Sequence, residues 1–175
     1  MLFRSGVAST RAGNVIGGGD WSADRIVPDC IRSLGGNEPI ILRNPDATRP
    51  WQHVLEPLSG YLMLASRLLT EPKKAGGSWN FGPPVESNCT VGELAQRMVE
   101  AWGSGTIQVE RPANMPHESQ LLFLNADKAH RELGWRPRWS VDRTVTEIVA
   151  WYKAVATGRP ALEISRAQIA AYGAS

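Results

Sequence analysis

Asn14, Asp20, Trp21, Arg25, Arg49, Asn80 and His117 are the side chains through which this sequence could do chemistry. Most sit in stretches rich in glycine or proline. Arg11-Ala-Gly-Asn-Val-Ile-Gly-Gly-Gly-Asp-Trp21 sets a polar tip and an aromatic plate on either side of three glycines, whose backbone can approach a ligand closely. Arg49-Pro-Trp-Gln-His-Val54 adds a second cation beside a second tryptophan. Arginine presents a planar fork of donors matched to phosphate oxygens, each charge-assisted contact contributing roughly 1.5–3 kcal/mol. The chemistry implied is the holding of a sugar or nucleotide, with Trp21 or Trp51 available as a plate for the base. Each residue also has a plain structural reading. The glycines could form a tight surface turn, Arg25 a solvated helix position, and Arg49 a strand-edge cation stacked on Trp51. Asn80 could satisfy turn backbone, His117-Glu118 could be a capping or salt-linked pair, and His53 a hydrogen-bonded structural histidine.

Several chemistries are excluded by spacing. No G-x-x-G-x-x-G or G-x-G-x-x-G occurs, and the three glycines are followed by neither an immediate helix nor a second strand with a terminal carboxylate, so they are not a dinucleotide loop. There is no Walker loop and no G-x-S-x-G elbow. None of Lys73, Lys74, Lys128 and Lys153 has a tyrosine four residues before it, so the acid–base pair of many hydride-transfer enzymes is missing. Cys30 and Cys89 lack companions at zinc-ligand spacing and read as reduced structural thiols of a cytoplasmic protein. Nineteen basic residues against seventeen acidic ones argue against a surface that wraps nucleic acid. No apolar run approaches the ~20 residues that span a bilayer, and no secretory signal is visible.

The elements that must position these residues alternate between strand and helix. A strand over Gly6–Val15 leads into the glycine turn, and Ser22 or Asp24 caps a helix over Arg25–Leu34. Strands follow at Pro39–Arg43 and Thr48–Val54. A longer helix runs from about Pro57 to Leu69, with Leu58, Tyr61, Leu62, Ala65, Leu68 and Leu69 at helical spacing. Glu71–Gly77 reads as an exposed connector and Ser78–Phe81 as a strand. Thr90 and Glu93 form a capping box for a helix to Trp102, with a core side of Val91, Leu94, Ala95, Met98 and Val99. Thr106–Glu110 and Leu121–Leu124 are strand-like, with the loop Arg111–Ser119 between them. Asp127–Leu133 is a helix stopped by Gly134, Val141–Thr157 is a long helix, and the tail from Pro160 holds one more. This alternation predicts an α/β architecture. The first strand has nothing before it to pair with, so the expectation is the C-terminal part of a longer protein.

Taken together, Arg11–Trp21, Arg25-Ile-Val-Pro-Asp29, Arg49-Pro-Trp-Gln-His-Val-Leu-Glu-Pro57 and Trp79-Asn-Phe-Gly-Pro83 resemble the C-terminal half of the CDP-glucose 4,6-dehydratases. These belong to the extended short-chain dehydrogenase/reductase family of nucleotide-sugar enzymes. The likeness covers about Gly6 to Gly158. It implies the C-terminal part of a Rossmann-like NAD(P)-binding fold, mainly the substrate-binding lobe with the last strands of the sheet, in residues 1–158, with 159–175 as a helical tail. It also implies NAD as cofactor of the whole enzyme, CDP-glucose or a similar nucleotide sugar as ligand, and a dimer formed only by the full-length protein. In such enzymes a hydride leaves C4 of the sugar, water is lost across C5 and C6, and the hydride returns to C6. The residues for that chemistry lie upstream of the asparagine strand, so none is expected here and the chain alone should be inactive. By position, Asn14 and Arg49 resemble phosphate-binding residues and Arg25 a basic residue of the substrate lobe. Asn80 matches the edge of the nucleotide pocket and His117 a late loop.

Overall fold

Gly13 decides how the N-terminal segment folds. The computed structural model describes residues 6–111 and 122–175. In it the single strand expected over Gly6–Val15 is broken in two: β1 (Ala8–Ala12) runs parallel to β6 (Gly77–Phe81), and β2 (Asn14–Ile16) runs parallel to β5 (Trp51–His53). The change of partner happens at one residue. Gly13 N donates to Phe81 O at 3.2 Å and Asn14 N to Pro50 O at 2.9 Å. A Cβ on residue 13 would lie 2.5 Å from Pro50 O, so only glycine lets the two backbones pass. Pro50 breaks the other expected strand in the same way. Having no N–H for a ladder, it separates β4 (Thr48–Arg49), antiparallel to β7 (Cys89–Thr90), from β5.

Around β2 and β5 lies the larger core. β3 (Ile40–Leu42) pairs in parallel with β8 (Ile107–Val109). Helices α1 (Ile26–Gly35), α4 (Val91–Trp102) and α5 (Val141–Ala156) pack their apolar sides together through Val27, Ile31, Leu94, Met98, Ile148 and Trp151, all buried. Full burial of such side chains stabilises by roughly 1.5–3 kcal/mol each. The capping box expected at Thr90 is present: Glu93 N donates to Thr90 Oγ1 at 3.0 Å and Thr90 N to Glu93 Oε2 at 2.8 Å. The caps expected for α1 are not. Arg25 occupies its N-cap position without a side-chain bond, Asp24 adopts φ 60° and pairs with Arg43 at 3.9 Å, and Ser22 donates its N–H to Asp20 Oδ1.

A smaller core joins β1 and β6 to α2 (Leu55–Thr70) through Leu64, Ala75, Trp79, Phe81, Ala129 and Trp135. Gly60 lets α2 sit against Phe81, where a Cβ would meet the ring at 2.3 Å. The connector expected after α2 contains a helical turn, α3 (Pro72–Ala75). Leu122–Leu124 is irregular rather than a strand; Leu122 N makes one bond to Thr48 O, and Leu121 lies outside the described residues. Ala129–Leu133 closes the short helix with a π turn ended by Gly134 at φ 71°.

Glu56 holds the two cores and the C-terminal helix α6 (Ala161–Gly173) together. The carboxylate is fully buried. Its Oε1 accepts from Trp139 N at 2.8 Å and Arg138 N at 3.1 Å, and its Oε2 accepts from Tyr172 Oη at 2.7 Å. Burial, together with this carboxylate as its acceptor, holds the Tyr172 hydroxyl far above the usual tyrosine range. Among the described residues no helix is long and apolar enough to cross a membrane.

Candidate functional site

A cavity of about 540 Å³ opens along β2 and beside the first residue of β5, Trp51, a volume suited to a small organic ligand. One wall is Gly13 to Gly17, a second is Asp20, Asp24, Arg25 and the first turn of α1, and a third is Arg49, Trp51 and Val91. Parallel pairing puts Asn14 directly opposite Trp51. The first turn of α1 lines the cavity without a side-chain cap, so its N-terminal amides are offset only in part, by Asp29 of the same turn.

The loop that carries Asp20 and Arg25 is anchored from outside the cavity. Tyr152 on α5 donates its hydroxyl to Asp20 O at 2.5 Å, and burial pushes that hydroxyl above its ordinary range. The Ser22 amide, donating to Asp20 Oδ1, holds the Asp20 carboxyl below its usual range, with Arg25 Nη1 at 3.4 Å adding to the effect. Asp20 is therefore an ionised acceptor near neutral pH. Arg49 is buried, and its Nη1 donates to Thr48 O at 3.0 Å.

Four of the seven sequence-derived residues thus share one cavity: Asn14, Asp20, Arg25 and Arg49. Trp21 and Asn80 do not join them. Trp21 turns outward, 58% exposed, and meets Tyr152 edge-on at 5.0 Å. Of the two tryptophans considered as plates, Trp51 is the one that lines the cavity, with its Nε1 donating to Cys89 O at 3.2 Å. Asn80 faces Arg11 across the β1–β6 pair and donates to Asn125 O at 3.0 Å, away from the cavity. His117 lies outside the described residues. Asp24 and Tyr152 escaped sequence reasoning. Asp24 looked like a cap, and nothing local links Tyr152 to a loop more than 130 residues before it.

The glycine turn has a different role from the one its composition suggests. A Cβ on Gly18 would sit 2.3 Å from the Trp151 ring and one on Gly17 would sit 2.9 Å from Val54, while Gly19 has φ 87°. The turn is pressed between Trp151 of α5 and Val54 just after β5, and of its three glycines Gly17 lines the cavity. Cys30 and Cys89 are free and buried, and burial raises their thiols to about 12 and about 11. No trio of histidine, cysteine or acidic side chains suited to a metal ion occurs among the described residues.

No family model matches the chain. Its fold is that of the Rossmann-like, NAD-dependent nucleotide-sugar epimerases and dehydratases. It superposes on dTDP-glucose 4,6-dehydratase of Bacillus anthracis in complex with NAD with a TM-score of 0.69 and 20% identity, over 84% of this chain and 44% of that one. On UDP-glucose-4-epimerase of Stenotrophomonas maltophila, with bound NAD and formylated UDP-arabinopyranose, the TM-score is 0.73 at 17% identity, over 87% and 49%. Within that class the sequence points further. The chain is 48% identical to CDP-glucose 4,6-dehydratase of Salmonella typhimurium over 95% of its own length and 46% of that enzyme's. With dTDP-glucose 4,6-dehydratase of Escherichia coli the identity is 27%, over 75% and 37%. The chain therefore spans less than half the length of these relatives, and the likeness to CDP-glucose 4,6-dehydratase read from its motifs holds.

Proposed function

We propose that this chain is the substrate-binding half of a CDP-glucose 4,6-dehydratase. The observation that carries the reading is the convergence of Asn14, Arg25 and Arg49, drawn from three separate motifs, on one cavity beside Trp51. The charges suit a nucleotide diphosphate joined to a hexose. Arg25, Arg49 and the α1 N-terminus stabilise the diphosphate, Asn14 donates to it, the ionised Asp20 accepts from sugar hydroxyls, and Trp51 offers an apolar plate to the cytosine.

The cofactor belongs elsewhere. NAD needs a glycine cradle, and the glycine turn here lacks the dinucleotide spacing and packs against Trp151 and Val54, so the reading assigns NAD and the reacting groups to a complementing half. The chain alone then holds substrate without converting it. The free buried thiols suit a reducing cytoplasm.

Calorimetric titration with CDP-glucose, dTDP-glucose and UDP-glucose tests this. CDP-glucose should bind most tightly, and Arg49→Ala should weaken it by at least tenfold, the loss of one charge-assisted contact. Preference for another nucleotide would reassign the substrate to a related dehydratase or epimerase, and turnover of CDP-glucose by the chain alone would refute the division of labour.

A further inference from the structure

The cavity wall that carries Asp20 and Arg25 is a loop between the glycine turn and α1, and its residues 21–25 are all exposed. Left-handed residues bracket it, Gly19 at φ 87° and Asp24 at φ 60°. Three consecutive carbonyls of this loop accept from side chains of packed helices. Tyr152 Oη of α5 donates to Asp20 O at 2.5 Å, Arg32 Nη1 of α1 to Trp21 O at 3.2 Å and Arg32 Nη2 to Ser22 O at 3.3 Å. Water ordinarily satisfies the carbonyls of an exposed loop, so hydrogen bonding alone does not call for these partners. Their effect is to fix the path of the backbone.

Neither donor lines the cavity, and each is itself held in place. Tyr152 is buried, edge-on to Trp151 at 5.1 Å and to Trp21 at 5.0 Å. Trp151 in turn packs on Gly18 and donates its Nε1 to Ser165 Oγ of α6 at 3.0 Å. Arg32 also pairs with Asp29. What the loop presents to the cavity is the half-buried Asp20 carboxylate, whose Oδ1 accepts from Ser22 N at 3.0 Å and whose Oδ2 lies 3.4 Å from Arg25 Nη1. A carboxylate with two partners keeps lone pairs for further donors, such as neighbouring hydroxyls. Their use depends on where the carboxylate stands, since a group that wanders must be ordered at each binding event. Asn14 and Arg49 stand on β2 and β4, and Arg25 is carried at the N-cap of α1, so these three do not depend on the loop in the same way.

We propose that Tyr152 and Arg32 are positioning residues for the hexose: by fixing the backbone of Asp20 to Ser22 they hold the Asp20 carboxylate where sugar hydroxyls reach it, and so set the discrimination between CDP-glucose and CDP. CDP carries the same base, ribose and diphosphate without the hexose. It is held by Asn14, Arg25 and Arg49 and gains nothing from an Asp20 kept in place. The inference rests on the reading of this chain as a substrate-binding half and adds to it the residues that impose sugar selectivity from outside the cavity.

The test is calorimetric titration of the 175-residue chain and its variants with CDP-glucose and with CDP, each variant first checked for cooperative melting. Tyr152→Phe, which keeps the ring and removes one hydroxyl, should weaken CDP-glucose about tenfold, the worth of one hydrogen bond, and CDP by less than about twofold. Arg32→Met, which keeps the apolar stem and removes both donors, should do the same and decides the matter alone if Tyr152→Phe does not fold. Because both residues act through the Asp20 carboxylate, Tyr152→Phe should cost nothing further for CDP-glucose in an Asp20→Ala background. Equal weakening of both ligands, unchanged CDP-glucose affinity in the folded variants, or a full additional loss in the Asp20→Ala background would overturn the positioning role and leave the binding reading standing. Preference of the wild-type chain for dTDP-glucose, with the same dependence on Tyr152, would reassign the nucleotide and leave the positioning role standing. Absence of binding by any of these nucleotide sugars would overturn both.

Discussion

The region around α1, α4 and α5 and the layer formed by β1, β6 and α2 have opposite characters. In the first, apolar helix faces point inward and charged ones outward, and the Asp20 loop beside the cavity is anchored by Tyr152. In the second, a strand edge and a whole helix face lack neighbours within the described chain. The contrast separates two meanings of exposed surface. Polar exposure around Asn14, Arg25 and Asp20 suits a small anionic ligand, whereas the exposure of Leu62 and Leu69 on α2 is apolar. One region buries its apolar surface; the other leaves much of it exposed.

The strongest way to break this comparison is to cut the joint between the regions. Glu56→Ala leaves the half-buried amide of Arg138, the buried amide of Trp139 and the Tyr172 hydroxyl without this acceptor. Each stranded group costs about 1–3 kcal/mol, so the loss should be about 3–5 kcal/mol in urea denaturation. A loss below about 1 kcal/mol would mean that the regions hold together without this carboxylate.

Acid should act at the same seam. His53 is buried beside Trp139 at 4.8 Å, its Nδ1 accepts from Leu55 N, and its Nε2 has no partner among the described residues. Burial lowers its pKa from 6.5 to about 4. The fold therefore favours the neutral ring, and the unfolded chain takes up the proton first as pH falls. Stability should be level above pH 6.5 and should fall by about 3 kcal/mol as pH drops from 6.5 to 4. Thermal melts across this window check the sign, and His53→Gln should flatten the curve there.

Within the finished region, Gly18→Ala sharpens the account of the glycine turn. Its Cβ would press on Trp151, which overpacks the site and should cost about 1–3 kcal/mol. The smallest effect expected is Thr90→Ala, which removes the capping box of α4 and about 1 kcal/mol of stability with no change in CDP-glucose affinity. Calorimetry on each variant reads both quantities.

What the sequence disclosed, and what it hid, follows the range of the forces involved. The capping box at Thr90 and Glu93, the helix stop at Gly134 and the convergence of Asn14, Arg25 and Arg49 were legible, the first two because they act within a few residues and the third through resemblance. The break at Gly13 was hidden because it depends on Pro50, a residue from another strand that must pass close by. The same holds for Trp21 and Trp51. Both stand beside glycine, proline or charge, and only the partners Tyr152 and Cys89 decide which one faces the cavity. The leucines of α2 were visible as helical periodicity, but periodicity alone does not tell the inward Leu64 from the exposed Leu62 and Leu69. Glu56 gave no signal, since an acidic residue in a first helical turn is ordinary.

The indole N–H resonances of the seven tryptophans offer the most direct test of the central claim, because they sample both regions in one spectrum. Titration of CDP-glucose into nitrogen-15-labelled chain should move the Trp51 signal in a saturable way and leave Trp79 and Trp135, buried in the β1–β6–α2 layer, in place. Saturable movement of Trp79 or Trp135 with Trp51 unmoved would contradict it.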